Sequence, residues 1–420
     1  MTVLFLLPWQ TRWMYSEASI AGAHTEFGVM SVYATEILLV FGVLMMMVFN
    51  RGRLAVAHRN RRVVGLGGIA VMVVMLSIIF ADRPLFSSAM SVHILLAYGL
   101  FVALVDERVS TKHALGAYVA ALLAPMMLGV FQVFIGASPA VTWLGLAARD
   151  ITQLGESVFV QNGERILRAY GSFSHPNIFG GFLGVGVFAW WAFMAQVKRI
   201  RSVYVHRGLT IVGTAVLLGG MMLTGSRSAF LGVTIGIVLM ICAKILKKTS
   251  KTSIALVMIG VLAIGGSMAA SFAAPDLAAS IRGGGVNEER SLADRAALYQ
   301  EFIPFMAQTN PVIGHGIGSY VLSFSDQQPG RNAFEYQPIH NVPLLMLAEI
   351  GFLGLIGMLC FMIMAGRTLF THLPHRNATY ALGMGTVLVT ISFFDHYLWS
   401  SWSGLALCAF VCAMTVRLGE

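Results

Sequence analysis

Residues 336–354, YQPIHNVPLLMLAEIGFLG, place a histidine immediately before a long apolar run. Asn341 and Pro343 read as a helix cap and a first-turn proline, so His340 is expected at the N-terminus of the helix that follows. The positive end of a helix dipole disfavours imidazolium. A neutral ring able to accept a proton near pH 7 is therefore expected there, which suits a general base. An interfacial histidine that caps loop backbone is the competing reading of His340. Arg227, in LTGSRSAFLG, interrupts a long stretch of otherwise apolar or small residues. A charge deep in hydrocarbon costs at least ~2.5–3.5 kcal/mol. A tight Gly-Ser-Arg-Ser turn opening a helix at a membrane surface thus points to an anion site made from an arginine and helix N-terminal amides. The plainer alternative is a snorkelling arginine between two spans.

Two further segments bring chemistry-bearing residues together. RAYGSFSHPNIFGGFLG contributes Arg168 and His175, with Pro176 and Asn177 entering a helix. His-Pro-Asn is by itself a turn-plus-cap signature, so His175 reads first as structural. FFDHYLWSSWSG holds Asp395 and His396, followed by Tyr397, Trp399 and Trp402 as an interfacial belt. A carboxylate at that place could orient an arginine or a histidine. Glu36 and Glu349 fall within apolar runs, where each needs a partner, and Glu349 reads as structural.

These residues need a scaffold, and composition defines it. Of 420 residues, 57% are hydrophobic and only 11% charged, against about a quarter charged in soluble domains. The expected fold is an all-α polytopic membrane protein, a single integral membrane domain over 1–420. Apolar runs long enough to cross about 30 Å of hydrocarbon recur near 31–49, 63–80, 88–105, 113–135, 177–195, 208–224, 228–243, 252–272, 341–365, 378–394 and 398–416. That makes about eleven transmembrane helices. The opening MTVLFLLPW is too short to span and lacks the features of a signal peptide; it is either a half-helix or the remnant of a twelfth span. The four cysteines, Cys242, Cys360, Cys408 and Cys412, lie within or at the ends of apolar runs and read as packing residues.

Alternation of the spans sorts the basic residues. All six lysines fall in loops of one side, which is then cytoplasmic, whereas the ten basic residues of the other side are all arginine. Arginine offers a planar fork that grips phosphate bidentately, which a lysine point charge cannot do. The net charge of +9 follows mostly from this inside rule and from attraction to anionic membrane lipids; it does not argue for nucleic acid. Two connections on the outer side are long, 137–176 and 273–340, so function is expected to face outward. Within the second, SLADRAALYQEFIPFMAQ (291–308) reads as a helix with Ser291 as cap and Leu292, Ala296, Tyr299, Phe302 and Met306 at helical spacing. Arg295 stands inside that stripe, just after Arg290, and there an arginine wants an anion or a carboxylate. NPVIGHGIGSY then forms a glycine-punctuated turn leading toward His340.

The chain contains no Asp-x-Asp pair, P-loop, His-x-x-x-His or Cys-x-x-Cys spacing, or Gly-x-Ser-x-Gly elbow. A mechanism without metal or cofactor is the economical expectation. It would use an activated substrate already in the membrane, with arginines aimed at a diphosphate and one base.

RAYGSFSHPNIFGGFL, LTGSRSAFLG, DRAALYQ followed by NPVIGHGIGSY, PIHNVPLLMLAEIGFLGL and FDHYLWSSW occur in an order that resembles the bacterial O-antigen ligase and polysaccharide polymerase family. The resemblance covers most of the chain from about residue 160 onward. It implies a metal-independent, inverting GT-C type glycosyltransferase at the outer face of the bacterial cytoplasmic (inner) membrane. Its donor would be an undecaprenyl diphosphate-linked glycan. Arg227 and Arg295, joined by Arg290 and Arg168, would hold the diphosphate. His340, supported by Asn341, His175, Asp395 and His396, would deprotonate the acceptor hydroxyl. The acceptor would be a lipid A core sugar for a ligase or a second carrier-linked glycan for a polymerase. The SHPN and DHYLW elements also resemble those of family members from organisms without lipopolysaccharide, which keeps the polymerase open beside the ligase. A transporter for the same lipid would also be polytopic, but transporters gather polar groups at the midplane of inverted repeats; here the candidates gather at one face.

Overall fold

The structure, a computed structural model, describes residues 1–49, 51, 55–153, 155–161, 164–197, 202–245, 298, 300–306, 310–370, 373 and 376–419. Its helices, in chain order, are α1 (Thr2–Leu6), α2 (Ala34–Phe49), α3 (Arg61–Leu76), α4 (Pro84–Val105), α5 (Thr111–Ala121), α6 (Leu123–Ile135), α7 (Pro176–Gln196), α8 (Val203–Thr224), α9 (Arg227–Ile245), α10 (Tyr320–Gln327), α11 (Val342–Phe370), α12 (Arg376–Ser392), α13 (Tyr397–Ser400) and α14 (Trp402–Leu418). Apolar runs fold this way because a helix satisfies its backbone N–H and C=O groups within the segment, which hydrocarbon demands.

Among the described residues six helical segments are long and apolar enough to cross a membrane: 58–80, 84–105, 111–135, 176–196, 203–224 and 342–369. The helices Ala34–Phe49, Arg227–Ala243 and Trp402–Leu418 are apolar but shorter. The expected count of about eleven is not confirmed among the described residues. Hydropathy runs past helix ends: the run at 398–416 starts inside α13 and the long helix begins only at Trp402. The run at 31–49 opens in a strand, leaving α2 with 16 residues. The expected span at 252–272 lies outside the described residues.

The chain is mostly helical, yet all-α needs correction. Strands β1 (Arg12–Ile20) and β2 (Ala23–Tyr33) form an antiparallel hairpin running from the Arg12–Tyr33 pair to the Ile20–Ala23 pair. Ala21 and Gly22 both have positive φ, 52° and 78°, as a two-residue hairpin turn matching strand twist requires. The loop at 137–176 carries two more hairpins, β3 (Ala137–Ser138) with β4 (Arg149–Asp150), and β5 (Val158–Gln161) with β6 (Glu164–Leu167).

The most enclosed of the six is α7, with 78% of its apolar window buried. It packs against α5, α8, α9 and α12, as expected of a helix apolar on all faces. Its glycines admit close neighbours. A Cβ at Gly180 would lie 2.4 Å from Ser226 Cβ, and one at Gly181 would lie 1.9 Å from Tyr397 Oη.

Helix α11 is broken at Gly351 (φ 62°, ψ −172°). The 310–318 turn docks on the break, with His315 N donating to Ala348 O (3.0 Å), Gly316 N to Glu349 O (2.8 Å) and Phe352 N to Pro311 O (2.9 Å). These bonds satisfy backbone groups that a broken helix would otherwise orphan. Gly314, Gly316 and Gly318, all at positive φ, let the turn approach that closely: a Cβ on Gly314 would meet the Glu349 carbonyl carbon at 2.5 Å.

The loops assigned by alternation to one side meet at one end of the bundle. Arg83 pairs with Asp326 at 2.6 Å, Thr11 Oγ1 donates to Trp143 O at 2.9 Å and Ser172 Oγ to Pro8 O at 2.7 Å. At the opposite end Arg417 donates to Val105 O, Asp106 O and Val109 O, covering the last carbonyls of α4.

Candidate active site

Arg168 is aimed by its strand. The β5/β6 ladder continues through Arg168 N to Ser157 O (3.1 Å), and Ala169 N reaches Leu223 O (2.9 Å). The next turn is held from below by buried Gln132, whose Oε1 accepts from Tyr170 N (3.0 Å) and Gly171 N (2.8 Å). The Arg168 guanidinium then donates to Thr224 O (2.7 Å) and Asn177 Oδ1 (2.8 Å), beside the Phe159 ring. Thr224 closes α8, Gly225 is left-handed at φ 61°, and Arg227 is the first residue of α9. Burial pushes the Arg168 pKa down to about 10, and the Arg227 charge pushes the same way. Arg168 and Arg227 thus lie within electrostatic reach of each other at a helix N-terminus, an arrangement that favours an anion. The Oγ of Ser226, the residue before Arg227, is buried and makes no hydrogen bond among the described residues.

His175 caps α7, its Nδ1 accepting from Asn177 N at 3.1 Å. A nitrogen that accepts carries no proton, so the neutral ring holds its proton on Nε2, 3.1 Å from Ser157 Oγ. Burial drives its pKa down to about 4, against the opposing pull of Asp395. The bond the ring makes is that of a cap.

Below its usual pKa of about 6.5 the unfolded chain takes up a proton that the folded chain refuses until about pH 4. The stability due to His175 is therefore complete above pH 6.5 and lost as pH falls toward 4, on the order of 3 kcal/mol. The thermal midpoint should fall between pH 7 and 4.5, and His175→Asn, which retains a capping acceptor, should flatten that slope. Equal slopes in the two proteins would contradict the assignment.

His340, Asp395 and His396 meet although the first lies far from the others in sequence. Their ligand-capable atoms lie within 4.8 Å of one another, and the two imidazoles stand edge to face with centroids 5.1 Å apart. Asp395 is buried; its Oδ1 accepts from His396 N (2.8 Å) and its Oδ2 from Asn177 Nδ2 (3.0 Å). Burial opposes ionisation, but His396, His340, His175 and the Asn177 amide outweigh it and hold the carboxyl down at about 2. His396 Nδ1 is 2.7 Å from Ser400 Oγ. His340 precedes α11 as expected, with Asn341 Oδ1 accepting from Leu344 N (3.1 Å) as the cap. The helix dipole disfavours imidazolium at His340 while the Asp395 carboxylate favours it.

Trp399 Nε1 donates to Glu349 Oε2 at 2.7 Å, joining α13, which follows His396, to the half-helix that follows His340. Glu36 likewise finds partners, in His93 and in Tyr33 N. Both buried glutamates therefore have the partners their position demands.

Arg290 and Arg295 lie outside the described residues, so the structure does not bear on their placement. The helix expected at 291–308 is present at 300–306, with Phe302 and Phe305 buried and Ile303 exposed. The sequence offered Asp395 as a carboxylate that could orient an arginine or a histidine, and the structure brings it to His340 and His396; Asn177 reads there only as a helix-opening residue. In composition His340, Asp395 and His396 are also the group among the described residues that could hold a metal ion.

A sequence model of the O-antigen ligase family matches residues 212–359. Over these residues the chain is similar to the O-antigen ligase family. The family match includes Arg227, Arg290, Arg295, His340 and Asn341, and it stops short of Arg168, His175, Asp395 and His396. The matched region thus covers the Ser-Arg-Ser turn and the His-Asn cap, and the structure brings residues from outside the match up to them. No curated protein matches the chain.

Proposed function

We propose that this chain is an inverting glycosyltransferase of the O-antigen ligase type. It moves a glycan from an undecaprenyl diphosphate carrier to an acceptor sugar hydroxyl at the outer face of the bacterial cytoplasmic membrane. The observation that carries the reading is the continuous site from Arg227 and Arg168 through Asn177 and Asp395 to His340 and His396. It puts cationic donors fit for a diphosphate beside a base fit for a hydroxyl.

The acceptor O–H gives its proton to His340. Its oxygen attacks the anomeric carbon from the face opposite the phosphate, and the bond from that carbon to the phosphate oxygen breaks. The departing lipid diphosphate carries the electron pair, and its charge is held by Arg227 and Arg168, with Arg290 and Arg295 assigned to the same group. Asp395 stabilises the imidazolium, and the donor's own glycosyl-phosphate bond supplies the driving force.

Purified protein in nanodiscs, given a carrier-linked donor with either a lipid A core sugar or a second carrier-linked glycan, tests the reading. Transfer to the core sugar is the expected result; transfer only to carrier-linked glycan makes the chain a polymerase with the same machinery. The reaction is expected to run at full rate after EDTA treatment. Activity lost to EDTA and restored by a divalent ion would put an ion between His340, Asp395 and His396 and remove the general-base mechanism.

A further inference from the structure

We propose that Asn177 is a positioning residue that sets the separation between the phosphate-facing arginines and the His340–Asp395–His396 cluster; the inference rests on the glycosyl-transfer reading above. Its side-chain amide is polarised to match both neighbours. Oδ1 accepts from the Arg168 guanidinium at 2.8 Å, and Nδ2 donates to the Asp395 carboxylate at 3.0 Å. An amide offers one acceptor and two donors on a short stem. An aspartate would suit Arg168 but repel Asp395, and a glutamine would carry the amide a methylene further from α7 and out of line with both partners.

The residue is itself rigidly placed. It is the second residue of α7, behind Pro176, and its backbone N–H is tied to His175 Nδ1. One turn further on, two adjacent glycines clamp the same two pieces of the site. Gly180 lies against Ser226, which precedes Arg227, and Gly181 lies against Tyr397, which follows His396. The first turns of α7, the most enclosed of the six membrane-length helices, therefore touch the diphosphate turn and the histidine–carboxylate segment at two levels, once through the Asn177 amide and once through close backbone packing. Donor and acceptor must be held at a fixed separation for in-line attack, and a misplacement of about 1 Å is enough to cost about 10²-fold in rate. Asn177 acts through Arg168 and Asp395; it does not touch the reacting atoms.

The test compares Asn177→Ala, Asn177→Asp, Asp395→Asn and the double variant Asn177→Ala/Asp395→Asn, by glycan transfer and by thermal unfolding. Asn177→Ala should lower kcat by about 10²-fold and leave KM for the donor within about 3-fold. Asn177→Asp should do no better than Ala, although it keeps the acceptor for Arg168. The double variant should lose less than the product of the two single losses, because Asn177→Ala removes the donor to the carboxylate and Asp395→Asn removes the charge that this bond serves. Wild-type kcat in Asn177→Ala, rescue by Asn177→Asp, or multiplying losses would each overturn the proposal. If the wild-type protein transfers no glycan, the glycosyl-transfer reading fails by itself and the unfolding midpoints decide the bridge. Non-additive shifts of Asn177→Ala and Asp395→Asn uphold it, and additive shifts overturn it.

Discussion

His340→Ala is expected to lower kcat for glycan transfer by about 10²–10⁴-fold, the usual contribution of a positioned general base, with the fold retained. Asn341 supplies the cap of α11 through Leu344 N, so the helix does not depend on the imidazole. His340 and His396 stand edge to face beside one carboxylate, and they are not equivalent. His396 is engaged through Nδ1 with Ser400 Oγ and its backbone N–H is spent on Asp395, whereas His340 stands at the N-terminal end of α11, where a helix dipole disfavours imidazolium. His396→Ala should therefore cost less than His340→Ala. Comparable transfer by wild type and His340→Ala, with loss in His396→Ala, would move the base to His396.

Arg227→Lys is expected to lower kcat by about 10²-fold, the size of effect seen when one donor to a developing oxyanion is removed. The lysine keeps the charge and the helix N-terminus but loses the planar fork. Arg168 commits Nε to Thr224 O and one Nη2 donor to Asn177 Oδ1, so its remaining donors add charge at the anion site but do not replace the grip lost with Arg227. Steady-state kinetics of the variant check this, and a lysine protein with wild-type kcat and KM would contradict the phosphate role of Arg227.

The local devices were legible in the sequence because they are written within a few residues. Asn341 as a cap, Pro176 after a capping histidine, and the glycine-punctuated 310–318 turn all have signatures spanning one helical turn, and the structure builds each of them. The meeting of distant residues was not legible. Asn177 and Asp395 are 218 positions apart, and Arg168 reaches Thr224 across 56. No periodicity reports such a contact. The β1/β2 hairpin escaped because RWMYSEASI is exposed or half-exposed at nearly every position, so no face alternates cleanly with a core. The break in α11 escaped for a different reason: Gly351 sits within a continuous apolar run, and a glycine there is tolerated in a helix until a docking turn makes positive φ the favourable choice.

The account's central claim is that the arginines and His340 serve one bond-forming event at one end of the bundle. The most direct measurement is to give the purified protein in sealed vesicles a carrier-linked glycan of known anomeric configuration together with an acceptor. Product stereochemistry and movement of the donor across the bilayer are then followed in the same sample. A glycoside of inverted configuration, formed without donor movement, is the predicted result. Donor movement with no new glycosidic bond would contradict the account and make the chain a transporter.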